Sequence, residues 1–130
     1  MLSARILVVE DFEPWRRLIS SMLEKEPHLD IISEVSDGLE AVRKAKELKP
    51  DLILLDIGLP KLNGMDAARQ IRCVTPNAKI LFLSQETSPV VIQGALSVGA
   101  SGYVVKVNAG LQLSPAIDAA ISGERFVSQI

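Results

Sequence analysis

Short apolar runs alternate with amphipathic stretches along the whole chain, and that alternation predicts repeated strand–helix units around a parallel sheet. Ala4 to Val9 is an aliphatic run with no polar face, as expected of a strand covered by helices on both sides. Pro14 suits a first helical turn, and Leu18, Ile19, Met22 and Leu23 then recur at helical spacing until Pro27. Ile31 to Val35 alternates and reads as an edge strand. Asp37-Gly38 opens a helix carrying Leu39, Ala41, Val42, Ala45 and Leu48, which Pro50 stops. Asp51 to Asp56 is a third strand, followed by a loop marked by Gly58, Pro60, Asn63 and Gly64 and a short helix with Met65, Ala68 and Ile71. Ala78 to Ser84 is a fourth strand, Pro89 to about Gly99 a helix, and Tyr103-Val104-Val105 a fifth strand ending at Lys106. The last helix is expected from about Leu111 to Ile121, capped by Gly123. The predicted fold is α/β, a five-stranded parallel sheet with helices on both faces in a doubly wound (βα)5 arrangement.

In open parallel sheets, ligands bind beyond the carboxyl ends of the strands. The polar residues gather there. The first strand ends in Glu10-Asp11, the third in Asp56, the fourth in Ser84 and the fifth in Lys106. Carboxylates held close together repel and raise one another's pKa, an arrangement that a hard divalent cation relieves. A magnesium-and-phosphoryl site is therefore expected, with manganese as the alternative ion.

Composition narrows the remaining possibilities. A length of 130 residues suits one domain with one substantial core. No apolar run approaches the roughly 20 residues a membrane helix needs, and no signal-peptide pattern precedes the first apolar run, so the expected location is the cytoplasm. A formal charge of −2 argues against direct nucleic-acid binding, which needs a concentrated basic face. The single cysteine, Cys73, excludes an internal disulfide and is expected to be a partly buried thiol. His28 is expected to be exposed and inert. Trp15, in the first turn after the acidic pair, should lie close enough to report on metal binding.

Taken together these residues resemble the receiver domain of bacterial two-component response regulators, a flavodoxin-like fold, over nearly the whole chain. Glu10-Asp11 matches the paired acids, Asp56 in Leu-Leu-Asp-Ile-Gly-Leu-Pro the phosphoacceptor, Ser84 the Ser/Thr, Lys106 the lysine and Tyr103 the switching aromatic. The segments Leu59-Pro60…Asn63-Gly64-Met65-Asp66, Gly99-Ala100-Ser101-Gly102-Tyr103 and Gly123-Glu124-Arg125…Val127-Ser128 are most similar to the NarL/FixJ subgroup. The resemblance implies a receiver over residues 1–122, either cut from a longer regulator, with 123–130 beginning a linker toward a LuxR-type helix-turn-helix domain absent from this chain, or standing alone. It also implies a sensor histidine kinase as partner, output through a homodimer or through DNA contacted only by that further domain, and no membrane partner.

The chemistry so implied is an aspartyl phosphate on Asp56, with the cation held by Glu10, Asp11, Asp56 and the Gly58 carbonyl. Lys106 would hold a phosphoryl oxygen, and Ser84 would donate its hydroxyl to the new phosphoryl group, leaving space for Tyr103 to rotate. A switch is expected rather than an enzyme. Phosphohydrolases with an aspartate nucleophile typically carry a second carboxylate two positions later, where this chain has Gly58. Two departures from the family pattern bear on rate. Val107 stands where a proline usually follows the lysine, and Gln85 occupies a position usually taken by a small residue, with Glu86 adding a carboxylate beside it. These departures keep a pseudo-receiver, signalling by protein contacts without phosphate, as the alternative. Gln85→Ala is expected to speed phosphorylation by a small donor, measured by intact mass against time; equal rates for the two proteins would remove the side chain as an obstacle.

Overall fold

The computed structural model describes residues 3–128. Its strands are β1 (Ala4–Val9), β2 (Leu29–Val35), β3 (Leu52–Leu55), β4 (Lys79–Ser84), β5 (Gly102–Val105) and β6 (Phe126–Val127). Its helices are α1 (Glu13–Glu24), α2 (Gly38–Leu48), α3 (Gly64–Val74), α4 (Pro89–Ser97) and α5 (Ala109–Ile121), with one 3-10 turn at Lys106–Asn108. All strand pairings are parallel, in the order β2-β1-β3-β4-β5-β6. The order reverses between β1 and β3, which opens a crevice at the carboxyl edge between them.

Strand periodicity divides the core into two layers. Leu7, Val9, Ile53, Leu55, Ile80, Phe82, Tyr103 and Val105 point to one face, where Ala41 and Ala45 of α2, Ala68 and Ile71 of α3, and Ile92 and Ala95 of α4 cover them. Ile6, Val8, Leu52, Leu54, Leu81, Leu83 and Val104 point to the other, against Ile19 and Leu23 of α1 and Leu113, Ala116, Ile117 and Ala120 of α5. Successive residues of a strand face opposite sides, so a strand buried on both must be apolar throughout. The Leu-Ile-Leu-Leu of β3 meets that requirement, and all four residues are buried.

Helix starts follow local chemistry. Asp37 caps α2 by accepting from the Glu40 amide at 2.8 Å, and Asn63 caps α3 by accepting from the Asp66 amide at 3.0 Å. α1 has no cap from its own Phe12 side chain; the Phe12 amide donates instead to a Glu10 carboxylate oxygen at 3.1 Å. Position 64 admits only glycine without rearrangement, because a Cβ there would lie 1.9 Å from the Asp56 carbonyl oxygen.

Four expectations are corrected. The sheet has six strands rather than five, because Phe126–Val127, within the stretch expected to begin a linker, pairs along β5. The Ser128 amide donates to the Tyr103 carbonyl at 2.8 Å, and the Ser128 hydroxyl accepts from the Val105 amide at 3.0 Å, so the outer edge of β5 is satisfied. The last helix starts at Ala109, two residues early, because the 3-10 turn after β5 runs directly into it. Cys73 is exposed, lying on α3 opposite the face formed by Ala67, Ala68 and Ile71. His28 is largely covered, with its Nε2 3.2 Å from an Asp118 oxygen on α5.

The sixth strand approaches β5 closely at Gly102, where a Cβ would lie 2.4 Å from the Phe126 carbonyl oxygen and 3.0 Å from Leu81 Cδ1. Gly102→Ala is expected to push β6 off the edge and cost about 1–3 kcal/mol, read as a lower urea midpoint with faster hydrogen exchange at the Ser128 amide. An unchanged midpoint and unchanged exchange would contradict that packing.

Candidate functional site

The register of the sheet sets the site. Val9 lies opposite Leu55 in the β1–β3 pair, so Glu10 and Asp56, one residue further along, emerge side by side, and the Asp56 amide still donates to the Val9 carbonyl at 3.2 Å. Glu10 is likewise tied to the outer strand, its amide donating to the Val35 carbonyl at 3.0 Å. Ser84 ends β4, and Val105 opposite it ends β5 just before Lys106. Lys106 therefore starts two strands away from Asp56, a gap of about 10 Å that its four-carbon stem crosses over the end of β4.

At the end of that reach the ammonium nitrogen lies 3.0 Å from Asp56 Oδ2 and 2.5 Å from Glu10 Oε1. Lys106 is 5% exposed, Glu10 1% and Asp56 9%, so these charges meet where water screens them little. The second Asp56 oxygen accepts from the Ile57 amide at 2.7 Å, which fixes the rotation of the carboxylate. Asp11 is exposed at the mouth. Carboxylate oxygens of Glu10, Asp11 and Asp56 all lie within 4.8 Å of one another, a hard-oxygen donor set that suits a magnesium-sized cation. Gly58 lines the same cavity of about 230 Å³, together with Phe12, Trp15, Ser84, Gln85 and Glu86. The residues present therefore fit a divalent ion.

Burial and pairing oppose each other in the titration of this cluster. Burial, with the neighbouring Asp56 charge adding to it, holds Glu10 above its ordinary value of 4.5 despite the hydrogen bonds from Lys106 and the Phe12 amide. For Lys106, burial works to lower the pKa, but the hydrogen bonds to Glu10 and Asp56 outweigh it and the ammonium is held above 10.5.

The switch pair meets through one residue. The Glu86 amide donates to the Ser84 hydroxyl oxygen at 3.2 Å, and the Glu86 carbonyl accepts from the Tyr103 hydroxyl at 2.8 Å. The Tyr103 ring is fully buried beside Phe82, centroids 6.2 Å apart, and burial pushes its hydroxyl pKa up. The loop after β4 is thus held at Glu86 by both of the residues expected to move it. Gln85 and Glu86 are exposed on the rim of the cavity rather than filling it.

The structure brings together every expected site residue except Tyr103, which lies behind the cavity with its hydroxyl bonded to the Glu86 carbonyl. Three contributors were not anticipated in their roles. The Phe12 amide and the Arg16 guanidinium, the latter donating to the Glu10 carbonyl at 3.0 Å, fasten Glu10 from α1. Trp15 places its ring 5.2 Å from the Lys106 nitrogen. Its position after the acidic pair was visible in the chain, but a contact with a lysine 91 residues later was not.

Two charge arguments set the stability of this cluster against pH. A lysine whose folded value lies above 10.5 contributes fully below that value and loses the contribution as pH rises through the folded pKa. A carboxyl whose folded value lies above 4.5 is favoured when protonated, so its burial costs stability as pH rises through the folded pKa. Lys106→Met, which leaves two carboxylates unpaired, is expected to cost about 3 kcal/mol at pH 7, with the loss shrinking toward pH 5 as Glu10 takes a proton. Urea denaturation at the two pH values checks this; a loss independent of pH would contradict the pairing.

Residues 6–118 match the family model of the response regulator receiver domain. The chain is 35% identical over 105 residues to the chemotaxis protein CheY of Thermotoga maritima, covering 81% of this chain and 87% of that protein. It is 34% identical over 120 residues to the transcriptional regulatory protein LiaR of Bacillus subtilis, which takes in 92% of this chain but 57% of that protein. Several of the matched relatives are thus much longer than the stretch they share with this chain. Among solved structures, a LuxR-family two-component response regulator from Aurantimonas sp. SI85-9A1 superposes with a TM-score of 0.86 at 35% identity, covering 95% of this chain and 89% of that one.

Proposed function

Since the chain belongs to the response regulator receiver domains, we propose that it is a two-component signalling switch that accepts a phosphoryl group on Asp56 from a sensor histidine kinase. The observation that carries this reading is the fixed Asp56 carboxylate, held by Lys106 at 3.0 Å and by the Ile57 amide at 2.7 Å beside two further carboxylates. In the transfer, an Asp56 oxygen forms a bond to phosphorus as the bond from phosphorus to the donor's imidazole nitrogen breaks, and the electron pair leaves with the imidazole. No base is needed, because Asp56 attacks as the anion. Glu10, Asp11, Asp56 and the Gly58 carbonyl would hold magnesium or manganese, which supplies the positive charge that screens two approaching anions. Lys106 neutralises a further phosphoryl oxygen from the side of β5.

Ser84 then turns its hydroxyl toward the new phosphoryl group. Because the Glu86 backbone holds both the Ser84 and the Tyr103 hydroxyls, drawing Ser84 inward pulls the carbonyl on which Tyr103 rests. The phosphoryl group converts charge into a shift of the loop before α4 by favouring one of two conformations. Taking such an equilibrium from 1:99 to 99:1 requires about 5.5 kcal/mol of differential interaction. The expected output is a homodimer or contact with a DNA-binding domain, as befits relatives that include a transcriptional regulatory protein. The protein acts as a switch in the cytoplasm, not as a turnover enzyme; among the described residues no helix is long and apolar enough to cross a membrane.

Incubation with acetyl phosphate and magnesium is expected to add one phosphoryl group by intact mass, and both Asp56→Asn and chelation of magnesium are expected to abolish it. No magnesium-dependent addition to the native chain would overturn the reading and favour a pseudo-receiver, for which Gln85 on the rim and Val107 after Lys106 are the motivating features.

A further inference from the structure

We propose that Trp15 is a positioning residue for Lys106, its indole face holding the ammonium in the acceptor cavity through a cation–π contact. The ammonium has three donor directions. Glu10 at 2.5 Å and Asp56 at 3.0 Å take two of them, and the Trp15 ring, its centroid 5.2 Å away, covers the ammonium from the side of α1. That separation is within the range in which a ring quadrupole attracts a cation, and the attraction is strongest where water is excluded. Lys106 is nine-tenths buried or more, so the condition is met.

The lysine needs such a wall. Its stem crosses from β5 over β4 to reach Asp56 on the far side, and a flexible side chain held only at its tip keeps much rotamer freedom to lose. The indole is itself well placed to supply the wall. Pro14 stiffens the first turn of α1, the Phe12 amide is bonded to the Glu10 carboxylate, and Arg16 is bonded to the Glu10 carbonyl. Glu10 thus fastens both the lysine and the turn that carries Trp15. A cation held at the mouth would compete with the lysine for Glu10, which lies 2.5 Å from the ammonium. Trp15 is then the fixed contact that keeps the ammonium where a phosphoryl oxygen will arrive.

Only the kinetic arm of the test rests on Asp56 being the acceptor. In the metal-free full chain, nitrogen-15 NMR follows hydrogen exchange of the Lys106 ammonium in the native protein and in Trp15→Phe and Trp15→Leu. Phe keeps a π face and Leu keeps apolar cover without one. Exchange is expected to rise about twofold in Trp15→Phe and about tenfold in Trp15→Leu. In parallel, acetyl phosphate with magnesium forms the Asp56–phosphorus bond as acetate departs, and that rate is expected to fall about tenfold in Trp15→Leu and much less in Trp15→Phe. Equal exchange in the two variants would overturn the proposal. Should a variant fail to fold, nuclear Overhauser contacts between the indole and the Lys106 ε-methylene of the native protein decide instead, their presence supporting the contact and their absence overturning it. A native chain that takes no phosphoryl group would sink the proposed function, while the exchange comparison would still decide the role of Trp15.

Discussion

A buried ammonium shared between two buried carboxylates is the constraint around which this molecule is arranged. With a third carboxylate at the mouth, three acids face one lysine, so two negative charges remain unmatched when all are ionised. Removing one partner from such a cluster is costly, because it leaves uncompensated charge in a poorly screened place. The same imbalance suits the cavity to a dication.

The sheet exists to hold that cluster still. β1, β3, β4 and β5 are buried on both faces, and their carboxyl ends lie at one level, so each chemical group leaves the sheet at a fixed height. Tyr103 belongs to the layer under α2, α3 and α4, whereas α1 and α5 cover the other face. The loop after β4, to which the Tyr103 hydroxyl is bonded, therefore adjoins the α4 side. Glu86 links the two hydroxyls, its amide donating to that of Ser84 and its carbonyl accepting from that of Tyr103.

Edge structure adds a second constraint. β6 closes the outer side of β5, and Ser128 just beyond it bonds the carbonyl of Tyr103 through its amide and the amide of Val105, the residue next to Lys106, through its hydroxyl. The strand that carries the lysine and the aromatic is thereby held between β4 and β6, although β6 itself is only two residues long.

Much of this was legible in the order of residues, because a short apolar run such as Leu52 to Leu55, bounded by Asp51 and Asp56, suits a strand buried on both faces, and the acids, hydroxyl and lysine fall at the ends of such runs. The sequence by itself determined the alternating units, the parallel sheet and the placing of Asp56 at a strand end, since those depend on local periodicity and on spacing along the chain. Phe126–Val127 escaped notice because a two-residue strand has no period to detect, and its pairing depends on Gly102, which lies far away in sequence. His28 and Trp15 were ambiguous for the same reason: their partners, Asp118 and Lys106, are about 90 residues distant. Only the tertiary structure decided which charges share one cavity, which ring covers the lysine and which edge is closed, because those are set by how separate elements pack and not by what neighbours each residue along the chain.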